Sequence, residues 1–256
     1  MDHEKRLADA YWDYFRVYPE VDDDPERLRV VYALRYRVYC IENPFEDPAD
    51  FPDGLERDAF DAQSIHSLLV HRDTGKPAGT VRMVLPWGGS GDGEIPLDSV
   101  CAESVLRDES RFPRNRLAEI SRFAIAKSFR QRRKLTWSTD PRDGVAADGR
   151  TIPADHHRVI PHMCLGLIEA LVGNSGRRGI THWCAAMDPS LLRLLRQLSI
   201  HFHPLGPMVD YHGRRQPCYA ELEPMLQRTR RERPDVWELI TRDGRNWPGP
   251  FWGVAM

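Results

Sequence analysis

The sequence predicts an α/β fold in which helices flank a central, mixed β-sheet. Apolar residues recur at helical spacing over residues 28–39 and 156–172. Residues 65–71 and 79–85 have the composition of strands and are separated by a short turn-like segment. Residues 117–126 alternate between apolar and polar side chains, as a central strand does. Helical and strand patterns that follow one another in this way favour a sheet covered by helices.

The first helix is predicted to begin after Asp24, because an acidic N-cap, Pro25 in the first turn and Glu26 near the positive end all favour a helix start. On a helical wheel Arg35 falls in the middle of the apolar stripe, whereas Arg37 falls opposite it. A buried arginine is costly unless it is paired. We therefore expect an acidic partner for Arg35 and a solvated Arg37.

The central part of the chain is expected to hold a loop, a hairpin and a strand. Residues 43–63 are rich in Pro, Asp and Gly and predict a loop, and the hairpin strands follow it. In the strand at 117–126, strict alternation places Glu119 and Ser121 on one face and Arg122 on the opposite face. Arg122 is thus expected to point away from Glu119.

The second half predicts further alternating elements. The helix over 156–172 is expected to end at Asn174-Ser175-Gly176, a strand is predicted over 180–185, and a helix follows Asp188-Pro189. A strand around residues 218–222 then leads into a polar tail. We expect a single domain over residues 1–256, with an inserted loop at about 134–155 and a C-terminal extension at about 223–256.

Composition narrows the functional classes. The net charge of -2 gives no global basic field for nucleic acid, and no run of about 18 apolar residues predicts a membrane span. The five cysteines have no CxxC spacing, and the charged N-terminus lacks a signal-peptide core, so a cytoplasmic protein with reduced thiols is expected. The scattered histidines do not form a closed zinc-ligand set, so no metal site is predicted.

Three polar clusters stand where an apolar core is expected. They are Arg35 on the apolar helix face, the acids of residues 56–61, and residues 119–123 with Arg82 in the preceding strand. Buried arginines need carboxylates, and these acids supply them. One interpretation is an internal salt-bridge network that fixes the fold. The other is a functional site, because such networks also collect at active sites.

The ordered set of motifs resembles the acyl-homoserine-lactone synthases. The motifs are Leu34-Arg35-Tyr36-Arg37-Val38-Tyr39, then Phe45, then Glu-x-Asp-x-Phe-Asp at 56–61, then Gly79-Thr80-Val81-Arg82, and then Glu119-x-Ser121-Arg122-Phe123. The resemblance covers residues 28–130 specifically and 156–222 only by the order of elements. Residues 32–45 (YxxRYxVYCxExxF) are still more similar to the acyltransferases encoded with exosortase/PEP-CTERM sorting systems, a branch related to N-acyl amino acid synthases.

This resemblance implies a GNAT-like acyl-CoA N-acyltransferase fold with a splayed central sheet. The implied donor is a fatty acyl thioester of acyl carrier protein or of CoA, the acceptor is the amine of an amino acid or similar small molecule, and no tightly bound cofactor is expected. Aminolysis needs a base for the amine proton and hydrogen-bond donors for the oxyanion. Glu119 is the candidate base, and it joins Arg35 and Ser121 as the catalytic candidates.

The remaining candidates are expected to bind the substrates. Glu56, Asp58 and Asp61 are expected to shape the acceptor side, either by holding an ammonium group or by orienting Arg35 and Arg82. Tyr39, Phe45 and Phe123 are candidates for the wall of the acceptor or acyl pocket, and Arg122, on the face opposite Glu119, is expected to be structural or donor-facing. The basic run Arg130, Arg132, Arg133 and Lys134 follows the central strand, where GNAT proteins hold the cofactor pyrophosphate. The glycine-rich signature of that loop is absent here. This departure favours an acidic carrier protein over acetyl-CoA.

Two rival functions remain open. The first is a true homoserine-lactone synthase that uses S-adenosylmethionine; the extension at 134–155 and the tail at 223–256, which have no counterpart in that family, argue against it. The second is a non-catalytic sensor of acyl carrier protein or lipid. The intact Glu119, Arg35, Arg82 and acids of 56–61 argue against the sensor.

Overall fold

The computed structural model describes residues 6–86, 93–101, 106–130 and 159–247. Within them the strands are β1 (Phe15–Tyr18), β2 (Ser64–His71), β3 (Pro77–Val84), β4 (Leu117–Ile125), β5 (His182–Met187), β6 (His203–Pro204), β7 (Val209–Asp210) and β8 (Arg214–Glu221). The helices are α1 (Leu7–Tyr14), α2 (Pro25–Tyr36), α3 (Lys127–Arg130), α4 (Val159–Arg178), α5 (Pro189–Gln197), α6 (Leu222–Glu232) and α7 (Pro234–Thr241). A π-helical segment, Arg37–Glu42, continues α2.

The strands form one mixed sheet in the order β1-β2-β3-β4-β5-β8-β6, and β7 pairs with β8. Only β4 and β5 run parallel among the described pairs, and they pair at Leu117 with His182, Ala118 with Trp183 and Glu119 with Cys184. Beyond Glu119 and Cys184 both strands continue without pairing to each other. We call this gap between β4 and β5 the slot. The predicted mixed, splayed sheet with flanking helices is confirmed.

Helices cover both faces of the sheet. On one face α4 packs so closely on β3 that a Cβ added at Gly79 would lie 3.3 Å from the Leu167 side chain. On the other face, Arg35 of α2 contacts His66 of β2. Asp24 caps α2 by accepting a hydrogen bond from the Arg27 backbone N–H at 3.0 Å, which confirms the predicted helix start. None of the helices in the described part of the chain is long and apolar enough to cross a membrane.

The predicted end of α4 at residues 174–176 is wrong, because the helix continues to Arg178. The polar side chains that suggested a turn have buried partners instead. Asn174 donates to the Pro19 carbonyl at 2.7 Å, and Ser175 accepts from the indole N–H of Trp183 at 2.9 Å. Gly176 lies so close to the Asn246 carbonyl that a Cβ would sit 2.2 Å from it. These residues serve helix packing.

Two further expectations need correction. The N-terminal elements α1 and β1 were not predicted, and the expected polar tail contains α6 and α7 up to Thr241. Buried residues of these two helices, such as Leu226 and Ile240, join the main core. The predicted loop at 43–63 includes short helical turns at Pro48–Asp50 and Ala59–Gln63. The inserted loop at 134–155 and residues 248–256 lie outside the described residues.

Candidate active site

Arg35 is fully buried and has the acidic partners that the sequence predicted. Its Nε donates to Glu56 at 2.5 Å, and its Nη1 donates to Asp61 at 2.7 Å. Burial alone would raise the pKa of Glu56, but Arg35 and Arg122 outweigh that effect and lower it. The side chain of Arg37, two residues away, is 50% exposed, also as predicted. Arg35 is therefore a buried charge that is paired with two carboxylates, as its position in the apolar stripe predicted.

Arg82 brings the strand and the acidic segment together. Its Nη1 donates to Asp58 at 2.6 Å and to Asp61 at 2.7 Å, and its Nε donates to the Ser121 hydroxyl at 3.0 Å. Asp58 and Asp61 also form a capping box at the Ala59–Gln63 turn, which fixes their positions. Although burial opposes ionisation of Asp61, His66, Arg35 and Arg82 hold its pKa well below the usual range.

Arg122 does not point away from this region, so the alternation predicted for it is wrong. Arg82 pairs with Ser121 and Thr80 pairs with Ala124, so β4 carries one more residue than β3 between these pairs. Arg122 has a left-handed φ of 49° within this bulge. Its Nε and Nη2 donate to Glu56 at 3.0 and 2.9 Å, and Nη2 also donates to Asp58 at 3.1 Å.

His66 is a member of the site that the sequence analysis missed. Its Nδ1 lies 2.6 Å from Asp22 and its Nε2 lies 3.0 Å from Asp61. Burial lowers the pKa of His66, but the two carboxylates outweigh burial and raise it. A histidine within an otherwise apolar strand pattern is the signal that could have found it. We call Arg35, Arg82, Arg122, Glu56, Asp58, Asp61 and His66 together the ion-pair cluster.

Glu119 lies on the same face of the sheet but has a different environment. It stands opposite Val84 and beside Cys184, where β4 and β5 begin to part. Only 3% of the residue is exposed, and its Oε2 accepts a hydrogen bond from the Leu97 backbone N–H at 2.7 Å. Burial raises the pKa of Glu119 to about 7, and the hydrogen bond from Leu97 only partly offsets it. Such a carboxyl group can both accept and release a proton near neutral pH.

Aromatic residues and a hairpin flank the slot. The ring centroids of Tyr39 and Phe45 are 6.4 Å apart, and the Arg122 guanidinium lies 5.5 Å from the Tyr39 ring. Phe45 is 39% exposed, and Phe123 is partly buried. The hairpin of β7 and β8 adds Tyr211, which sequence reasoning missed. Burial and then the charge of Glu119 raise the pKa of Tyr211.

The hairpin contacts the segment that carries Phe45. The Arg215 guanidinium lies 5.0 Å from the Phe45 ring, and the His212 Nδ1 lies 3.4 Å from the Phe45 carbonyl. The hairpin therefore closes the side of the site next to Tyr39 and Arg122. The predicted donor residues Arg132, Arg133 and Lys134 lie outside the described residues, as does the side chain of Arg130. In the part of the chain that is described, no group of three or more His, Cys, Asp or Glu residues has metal-binding geometry.

One comparison matches part of the chain to a known domain family. Residues 34–138 match the family model of the acetyltransferase (GNAT) domain, a range that includes the acidic segment and β4. No curated protein matches the chain.

Solved structures share the fold over most of the chain. TofI, in a ternary complex with an inhibitor and MTA, is 19% identical with a TM-score of 0.56, covering 88% of this chain and 97% of TofI. MesI, a CoA-dependent acyl-homoserine lactone synthase, is 18% identical with a TM-score of 0.52, covering 85% of this chain and 93% of MesI. BjaI, solved with SAM and isopentyl-CoA, is 15% identical with a TM-score of 0.51, covering 90% of this chain and 89% of BjaI. At these identities the likeness establishes the fold.

Proposed function

We propose that this chain, an acyltransferase of the GNAT type, moves a fatty acyl group from a carrier thioester to the amine of an amino acid or similar small acceptor. The observation that carries the proposal is Glu119: a buried carboxyl group with a pKa of about 7, placed where β4 and β5 separate. A group of this kind is suited to remove a proton from an amine at neutral pH. The resemblance of residues 28–130 to acyl-homoserine-lactone synthases supports the same reaction type.

In the proposed reaction the neutral amine attacks the thioester carbonyl. The new C–N bond forms as Glu119 takes a proton from the nitrogen, the C–S bond breaks, and the departing thiolate receives that proton. Backbone N–H groups of β4 beyond Glu119, which lack β5 partners, are the candidate donors to the oxyanion. The slot would hold the extended arm of the donor.

The acceptor side is proposed to lie where the ion-pair cluster reaches the surface. The side chain of Asp58 is 28% exposed and that of Arg122 is 15% exposed, whereas Arg35 and Arg82 are buried. An amino acid arrives with an ammonium and a carboxylate group, which Asp58 and Arg122 can bind respectively; the ammonium passes one proton to solvent before the neutral amine attacks. Arg35 is then a positioning residue. Ser121 accepts its hydrogen bond from Arg82 and faces the same side as Glu119.

The donor is proposed to be acyl carrier protein, and acyl-CoA is the alternative. The basic residues 130–134 and the absent glycine-rich loop support a carrier with an acidic surface. The reaction would take place in the cytoplasm. The similarity of residues 32–45 to the exosortase/PEP-CTERM-associated acyltransferases supports a link to that sorting system, which co-occurrence of the genes would test. A homoserine-lactone synthase that uses S-adenosylmethionine remains the second candidate, because MesI and BjaI, two CoA-dependent acyl-homoserine lactone synthases, share the fold.

The test is mass spectrometry of lipid extracts from a host that expresses the chain or its Glu119→Gln variant. New N-acyl amino acids that disappear with the variant would support the proposal, while acyl-homoserine lactones would support the second candidate. Glu109→Gln, an exposed change, is the matched control and should leave the products unchanged. With no new species from the wild type, the sensor interpretation gains weight.

Assays with purified protein then distinguish the two possible acyl donors. Turnover with acyl carrier protein thioesters and with acyl-CoA is measured for the wild type and for Glu119→Gln. Glu119→Gln should lower turnover about 10²–10⁴-fold, the usual cost of losing a general base. Full activity of the variant would exclude Glu119 as the base.

A further inference from the structure

A second cavity lies away from the slot, at the far edge of the sheet. It has a volume of about 390 Å³ and lies between α1, β1 and the end of α7. β1 is the edge strand, and β2 and β3 separate it from β4. Five arginines line the cavity: Arg6, Arg16, Arg72, Arg242 and Arg245. The transfer reaction gives this cavity no role.

The acids of the cavity neutralise only part of this positive charge. Its three acids all lie near one arginine, Arg6, whose side-chain nitrogens are 3.0 Å from Asp9, 3.7 Å from Asp243 and 4.0 Å from Glu238. Arg245 lies 3.5 Å from one of these acids, Asp243, and its Nε donates to the Arg242 carbonyl at 2.9 Å. The charge that remains belongs to Arg16 and Arg72, because Arg242 pairs with Glu169 outside the cavity lining.

Arg16 and Arg72 have neutral partners. Arg16 donates to the Tyr18 hydroxyl at 3.3 Å, and the Nε of Arg72 donates to the Phe15 carbonyl at 3.1 Å. Neither bond neutralises the guanidinium charge. Since both side chains line the same cavity, they leave a positive surface that an anion can occupy.

Arg242 is held in place by a buried acid. Its Nε donates to Glu169 at 2.6 Å, and Asn246 donates to the same carboxylate oxygen at 2.7 Å. Glu169 is 3% exposed, and its burial raises its pKa although Arg242 opposes this. The guanidinium also lies 4.5 Å from the ring of Trp12, which lines the cavity. Orientation from both sides leaves the Nη groups of Arg242 as fixed donors.

The backbone at this position is also unusual. Arg242, at the end of α7, has a φ of 51°, and the next residue, Asp243, has a φ of 56°. Helices commonly place glycine at such a left-handed position, where a residue with a Cβ costs roughly 1–2 kcal/mol. In this chain glycine appears only at the third residue, Gly244. A charged side chain kept in a strained position suggests a role beyond ending the helix.

We propose that this cavity binds the dianion of a small phosphate monoester, at a site separate from the slot. Guanidinium groups bind phosphate oxygens through paired N–H donors. Trp12 offers an aromatic surface to the organic part of the ligand. The volume lies within the range of small-molecule sites, about 300–1,000 Å³. The site thus gives the enzyme a second small-molecule ligand.

Calorimetric titration tests the proposal with phenyl phosphate, and with benzoate as the monoanion of similar shape. We expect saturable binding of phenyl phosphate, at least about tenfold weaker binding of benzoate, and weaker phenyl phosphate binding below pH 6, where the phosphate gains a proton. The double variant Arg16→Ala/Arg72→Ala should weaken binding at least tenfold. Arg193→Ala, on exposed α5 and outside the cavity, is the matched control and should bind like the wild type.

Either of two results would overturn the proposal. One is the absence of saturable binding of phenyl phosphate to the folded wild-type protein. The other is equal affinity in the wild type and the double variant, which would place the ligand elsewhere. Both arginines are exposed, so the double variant is expected to fold.

Discussion

The ion-pair cluster and Glu119 lie on the same face of the sheet, yet their buried carboxyl groups have opposite environments. In the cluster, each carboxylate has cationic partners, and Asp61 alone contacts Arg35, Arg82 and His66. Glu119 has Val84 and Cys184 as cross-strand neighbours and accepts one hydrogen bond from a backbone N–H, that of Leu97. The first arrangement lowers the pKa values of Glu56 and Asp61, and the second raises the pKa of Glu119 to about 7. Paired charges suit positioning, whereas a poorly solvated acid suits proton transfer.

The largest expected effect comes from breaking the cluster. Arg35→Met leaves Glu56 and Asp61 without one of their cationic partners in the interior, which should lower the free energy of unfolding by about 3–5 kcal/mol. Arg37→Met, on the exposed face of the same segment, should cost less than about 1 kcal/mol. Urea unfolding measures both. Equal losses in the two variants would contradict a special role for Arg35.

At Glu119, by contrast, we expect substitution to increase the free energy of unfolding. Its folded-state pKa exceeds the unfolded value, so the folded state binds an extra proton and the wild type loses stability as the pH rises from 4.5 to 7. At ~1.4 kcal/mol per pH unit, this loss reaches about 3 kcal/mol. Glu119→Gln should escape it and be more stable than the wild type above pH 7. Urea unfolding from pH 4.5 to 8 would reveal this, and a stability difference independent of pH would argue against the raised pKa.

Substituting His66 should change the free energy of unfolding by a smaller amount, and in a higher pH range than at Glu119. Its pKa is raised in the fold by Asp22 and Asp61 against the effect of burial, so its contribution is full below the unfolded value of 6.5 and is lost as the pH rises through the folded value. His66→Gln should cost about 1.5–3 kcal/mol below pH 6.5, as for hydrogen bonds to charged groups. The difference from the wild type should shrink at higher pH. A difference that grows with pH would contradict a charged His66.

The smallest effect is expected at Tyr211. Tyr211→Phe removes a hydroxyl whose pKa the charge of Glu119 helps to raise, while it keeps the ring, so turnover should fall by less than about tenfold. Stability should hardly change. Steady-state kinetics beside Glu119→Gln provide the measurement. A loss as large as that of Glu119→Gln would mean that Tyr211 itself carries a proton-transfer step.

The sequence predicted the parts of this site that follow regular periodicity. The wheel that buried Arg35 and exposed Arg37 was correct, because α2 is a regular helix up to Tyr36. Alternation failed at Arg122, because the bulge in β4 adds a residue and turns the side chain toward Glu56. The order of polar and apolar residues in the sequence does not reveal this extra residue. The bulge is defined only by the pairing of β4 with β3 in the folded sheet.

Contacts between distant segments explain the other differences. Asn174 and Ser175 resemble turn residues in the sequence, but their partners, Pro19 and Trp183, are brought near only by the fold. The sequence therefore predicted the end of α4 a few residues before the helix ends in the structure. The same limit applies to the proton-transfer group. The motif at residues 119–123 suggested Glu119, but its raised pKa comes from burial in the folded protein, which the Leu97 hydrogen bond only partly offsets.

The slot also affects how the protein meets other chains. Strand edges without partners usually lie at the border of a sheet, where a foreign strand can add and start aggregation. Here the bare edges of β4 and β5 lie in the interior of the sheet, between β3 and β8. Neighbouring strands of the same molecule restrict access to a thin, extended guest. Backbone groups in this position are therefore less open to strand addition by a second chain than those at the border of a sheet.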